Sequence, residues 1–187
     1  CWAARRKLVE IGVPAAQWIV DKRVGKLKSL AYECLPYVFK EIGPDGRKTL
    51  AKPLRSPDAK KRKEALVLTR LSKANELGDD VLQMLDKLKT AKTPENRQIL
   101  RHAILAAGDL KLSKATPILL KIAKTTPEDQ QTPIIIALGK IGNPQALDYL
   151  IRQLGEVDMK SPHGNLVRRK AAFEAIVNTG ESALPKL

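Results

Sequence analysis

The stretch ALGKIGNPQALDYLIRQL, residues 137–154, decides the fold. It opens as the end of an apolar helix. A Gly-x-apolar-Gly turn follows, from Gly139 to Gly142, and then a Leu-rich second helix. Working outward, LVEIGVPAAQWIV (residues 8–20) and AIVNTGESALPKL (residues 175–187) carry the same junction. EIGPDGRKTLAKPL (residues 41–54) and AAGDLKLSKATPILLKIA (residues 106–123) match it more loosely, and the unit around Gly78 is weakest.

Two rulers measure the repeat. Gly12, Gly43, Gly78, Gly108, Gly142 and Gly180 are spaced by 31, 35, 30, 34 and 38 residues. Ser56-Pro57, Thr93-Pro94, Thr126-Pro127 and Ser161-Pro162 recur at 37, 33 and 35. Both give a period of about 34 residues, the range of helical-pair repeats. Ser or Thr before Pro reads as an N-cap followed by the first helical position, where Pro loses no hydrogen bond. Asp58, Glu95, Glu128 and Asp129 then complement the positive end of the helix dipole. The glycines read as helix C-caps or tight turns.

Apolar periodicity gives the helices. Leu27, Leu30, Ala31, Cys34, Leu35 and Val38 share one face over residues 26–42, with a kink expected at Pro36. Over residues 57–74 the expected stripe is Ala65, Leu68 and Leu71, flanked by Leu66 and Val67; Val81, Leu82, Leu85 and Leu88 mark its partner helix. Later pairs are residues 94–107 with 112–124 and residues 127–141 with 144–154, with Pro133 as a kink inside the first helix of the last pair. No stretch alternates with period two, so no strand is expected.

These junctions resemble the HEAT repeat, especially its short bacterial form also seen in bilin-lyase-like proteins. The resemblance implies an all-α fold, a right-handed α-α superhelix of the HEAT/armadillo type with about five helix pairs. The expected organisation is one domain over residues 1–187. Its units are 1–25 (partial), 26–56, 57–92, 93–125, 126–160 and 161–187 (partial). Neither end reads as a polar capping repeat, so a piece of a longer solenoid is expected. A lipidated Cys1 is an alternative reading of the N-terminus. The compartment is otherwise open, with a cytoplasmic reading slightly favoured.

Chemistry is thin. No apolar run approaches the roughly 18 residues of a membrane span. Cys1 and Cys34 make no metal cluster or disulfide framework, and ordinary thiols are expected. His102, on a helix beside Ala103 and Ile104, reads as packing or surface. His163, in a helix-start turn, reads as local capping or solvent-exposed. Asp79-Asp80 reads as dipole-complementing acid. There is no CxxC, HExxH, EF-hand, GxSxG, Walker or GxGxxG pattern. The chain therefore reads as non-catalytic, with no cofactor and no metal. One enzyme class, the HEAT-like alkylated-base DNA glycosylases, shares the period and the charge. It wants aromatics along a basic groove, and no aromatic residue lies between Phe39 and Tyr149.

Charge is the remaining handle. The chain of 187 residues carries a formal +14, and +10 of it lies in residues 1–63. The densest cluster is Arg47, Lys48, Lys52, Arg55, Lys60, Lys61, Arg62 and Lys63, the candidate contact for an anionic partner. A weaker set, Lys111, Lys114, Lys121 and Lys124, is assigned to a second helix; the resemblance implies that second helices line the concave face. The function expected is a non-catalytic scaffold that binds a protein partner or neighbouring domain. Nonspecific contact with nucleic-acid phosphates or an acidic protein through the N-terminal cluster is the alternative.

Overall fold

The structure, a computed structural model, describes residues 2–127, 130–155 and 162–180, the side chains of 162–165 excepted. All regular structure among them is helical, arranged as an all-α HEAT-type solenoid. The chain runs through α1 (Trp2–Ile11), α2 (Val13–Lys22), α3 (Ala31–Ile42), α4 (Pro44–Lys48), α5 (Ala51–Leu54) and α6 (Ala59–Leu71). It continues through α7 (Gly78–Leu88), α8 (Pro94–Asp109), α9 (Thr116–Thr125), α10 (Thr132–Ile141), α11 (Leu147–Gly155) and α12 (Pro162–Thr179). First helices stack on first helices: α3 on α1, α6 on α3, α8 on α6, α10 on α8 and α12 on α10. Second helices pack against their own or the next first helix, as α5 does on α6, α7 on α8 and α11 on α12. Each unit thus buries its apolar stripe against its neighbours.

Small residues set the closest approaches in that stack. A Cβ added at Gly108 of α8 would stand 2.7 Å from the Ala137 Cα of α10. One added at Gly139 of α10 would stand 2.6 Å from the Ala175 Cα of α12. No side-chain atom fits at either place, so these glycines let two helix backbones meet. Gly108 therefore lies inside a helix, and Gly78 is the first residue of α7; neither is the expected turn. The left-handed turn that precedes each second helix falls instead on Lys73 (φ 56°) and Lys111 (φ 53°), with Gly142 (φ 68°) in the next unit. Each then leads through a 3-10 turn, at Asn75–Leu77, Ser113–Ala115 and Pro144–Ala146. Gly12 (φ 74°, ψ −139°) and Gly43 (φ 93°, ψ −168°) make a different, sharper corner. That region of backbone space is nearly closed to residues with a side chain.

Capping separates the four Ser/Thr-Pro pairs. Thr93 caps α8 as expected, its hydroxyl accepting from the Asn96 N–H, with Pro94 in the first turn. At Ser56-Pro57 the cap moves to Asp58, whose carboxylate accepts from the Lys60 and Lys61 N–H groups. A carboxylate is the stronger acceptor and also faces the helix dipole. Thr126 ends α9, and α10 starts six residues later at Thr132, with Pro133 in its first turn rather than at a mid-helix kink. Ser161 lies outside the described residues. The stripe of α6 is Glu64, Ala65, Leu66, Leu68 and Thr69, and Leu71 points outward at 41% exposure. The second helix expected around residues 44–54 breaks into α4 and α5. Pro53 explains the break: in a continuous helix its ring would clash with the Thr49 carbonyl.

Two buried polar groups hold the units in register. Glu64 is 1% exposed, and its Oε2 accepts the N–H of Gly25 at 2.6 Å and of Leu27 at 3.3 Å, fixing the turn that leads to α3. Gln131 donates its amide to the carbonyls of Ala123 and Thr126 and accepts from the Tyr149 hydroxyl at 2.8 Å. It ties the end of α9 to the start of α10 and to α11.

Candidate docking groove

The N-terminal basic cluster is taken apart by the fold. Arg47 grips Glu76 with its guanidinium, and Arg55 grips Asp80 at 2.6 and 3.2 Å. Lys52 reaches Asp21 at 2.8 Å, and Lys48 pairs with Asp45 within its own helix at 2.9 Å. Arg62 turns back onto the carbonyls of Ser56 and Pro57. These pairs hold Glu76 and Asp21 below the usual carboxylate range, chiefly through the hydrogen bonds from Arg47 and Lys52. Three of the pairs join residues 25 to 31 apart in sequence, so they tie one unit to the next. Asp109 extends the same pattern, receiving Arg70 and Lys140. Of the eight clustered cations, Lys60, Lys61, Arg62 and Lys63 form no ion pair among the described residues; Lys60 and Lys61 lie exposed in the first turn of α6, and Lys63 is half-buried on the same helix.

The second candidate set is spread over three settings. Lys111 is the left-handed turn residue, Lys114 sits in the 3-10 turn, and only Lys121 and Lys124 lie on α9. All four are exposed.

One concavity was not foreseen. Helix α10 has 10 residues, while its neighbours α8 and α12 have 16 and 18. The shortfall against α8 is about 9 Å of helix at 1.5 Å per residue. It leaves a notch of about 970 Å³ beside the start of α10. Leu100 and Ile104 of α8, Ile122 of α9 and Ile134 of α10 line it, with Val167 of α12 also reaching it. Lys89 and Lys92 stand at its mouth, and Arg97 and Arg101 stand one helical turn apart on α8. Lys89 is held by Asp86 at 2.8 Å, whereas Lys92, Arg97 and Arg101 form no ion pair among the described residues. Among the described residues that line the notch, four carry positive charge and none negative; Glu128 and Asp129, in sequence between the lining residues Pro127 and Gln130, lie outside the described residues. The sequence signal for it was Pro133. A proline without an N–H is tolerated in the first turn but not deep in a helix, so it sets where α10 begins.

Chemistry elsewhere is sparse. His102 lies half-buried on α8; burial, then Arg70, Lys63 and Arg101, push its pKa below the usual 6.5. The His163 side chain lies outside those described. Asp79 and Asp80 do sit in the first turn of α7, and Asp80 also takes Arg55. Among the described residues no group of His, Cys, Asp and Glu has the makings of a metal site. No described helix is long and apolar enough to cross a membrane.

Comparison with known proteins adds one match. Residues 85–176, from the end of α7 into α12, match the family model for HEAT repeats. No curated protein matches the chain.

Proposed function

The chain belongs to the HEAT-repeat family, and from that premise we propose that it is a non-catalytic scaffold whose notch beside α10 docks a protein partner or an adjoining domain. HEAT repeats are generally protein-interaction scaffolds. The observation that carries the reading is the notch itself, an aliphatic floor under a cationic rim held on fixed helices. Aliphatic floor with polar rim is the anatomy of a protein interface. The described lining offers no aromatic platform for a base and no carboxylate, which sets it apart from a base-excising groove. Site-specific photo-crosslinking in the native host tests the reading. A photoreactive residue at Gln98, which lines the notch, forms an adduct with a defined protein; one at Glu33, exposed on α3, does not. Adducts only with nucleic acid, or none at Gln98, contradict it.

A second reading concerns Lys60, Lys61 and Lys63, which the inter-unit pairing leaves without carboxylates. They would meet an anionic partner through phosphate or carboxylate contacts without sequence readout. Retention on DNA at low salt that Lys60→Glu, Lys61→Glu and Lys63→Glu together abolish supports it. No retention at low salt eliminates it.

A further inference from the structure

We infer that the notch takes an acidic segment of the partner protein that also carries aliphatic side chains. This rests on the scaffold reading and names the chemistry of its partner.

Three features converge on that occupant. Among the described residues Lys92, Arg97 and Arg101 pair with no carboxylate, whereas Arg47, Arg55 and Lys52 are all matched. Arg97 and Arg101 stand four residues apart on one helix, so both side chains rise from one wall, their Cβ atoms about 6 Å apart. Guanidinium forks accept carboxylates in bidentate fashion. The floor is branched aliphatic, from Leu100, Ile104, Ile122 and Ile134, which rewards burial of Leu, Ile or Val side chains and gives a flat base nothing to stack on. The volume of about 970 Å³ stands at the top of the roughly 300–1,000 Å³ range of small-molecule sites. It opens beside the start of α10, room suited to a short peptide segment.

Fluorescence anisotropy with three labelled synthetic peptides tests the inference on the whole chain. One peptide mixes Glu, Asp and Leu, the second replaces every Leu by Ser, and the third replaces every acid by Lys. The first peptide binds the wild-type chain, and the other two bind far more weakly. Arg97→Glu with Arg101→Glu weakens binding by roughly tenfold or more, while Lys26→Glu with Lys28→Glu leaves it unchanged. All four positions are exposed, and matched melting curves show that the variants fold. Absence of binding by the first peptide overturns the inference. So does equal binding of the Ser peptide, or indifference to the arginine reversals. A Gln98 adduct that persists while the first peptide fails to bind leaves the scaffold reading standing and removes this inference alone.

Discussion

Gly108 and Gly139 show what one missing methyl does in a stack of helices. Each sits inside its helix, where alanine is intrinsically favoured by about 1 kcal/mol. Each also faces the backbone of the next helix at a distance no Cβ tolerates. The steric effect wins: Gly108→Ala or Gly139→Ala costs about 1–3 kcal/mol net of propensity. Gly155, at the end of α11, has nothing within 4 Å of an added Cβ. Gly155→Ala leaves the melting temperature unchanged or raises it. Thermal unfolding of the variants checks this, and equal shifts at Gly108 and Gly155 would contradict it. His102 gives a pH signature at the same scale. Its folded pKa is lowered, first by burial, so the unfolded chain binds the proton more readily. Stability then falls as pH drops below 6.5 toward the lowered folded value. In His102→Gln the fall in melting temperature over that window is smaller; an unchanged pH profile would refute this origin.

Helix starts were legible where their chemistry is local and misread where competitors stand nearby. Thr93-Pro94 has a single cap candidate and was read correctly. Ser56-Pro57 has Asp58 beside it, and the carboxylate takes the cap. Thr126-Pro127 competes with Thr132-Pro133, and the buried amide of Gln131 decides between them by holding the end of α9. A sequence shows both pairs but not the long-range partner, Tyr149, that anchors Gln131. The notch lies beside that later start, and Pro133, which marks the start, is its one local sequence signal. Glu64 is a similar case: on the sequence it is one acid after four consecutive basic residues, yet it is buried and accepts two backbone N–H groups. Glu64→Ala leaves those donors without their acceptor, at a cost of about 1–3 kcal/mol. Amide hydrogen exchange at Gly25 and Leu27 speeds up more than exchange in α10; equal acceleration throughout would contradict a local role.

Across the whole molecule, the repeat was visible in the sequence because its period is written in turn and cap residues. The meaning of the charge was not. A +14 chain with a dense N-terminal cluster suggested one patch, whereas the fold spends Arg47, Lys52 and Arg55 on ties between units. Those partners lie 25 to 31 residues away, a separation that local pattern cannot reveal. Among the described residues Lys92, Arg97 and Arg101 stay unmatched along the notch, in the part of the chain that is only mildly basic overall. The most direct test of the notch as the docking site is methyl NMR of the isoleucines during titration with the acidic, Leu-bearing peptide. Saturable shifts are expected at Ile104, Ile122 and Ile134, with Ile19 in α2 unmoved. Shifts at Ile19 with the notch isoleucines silent would contradict it.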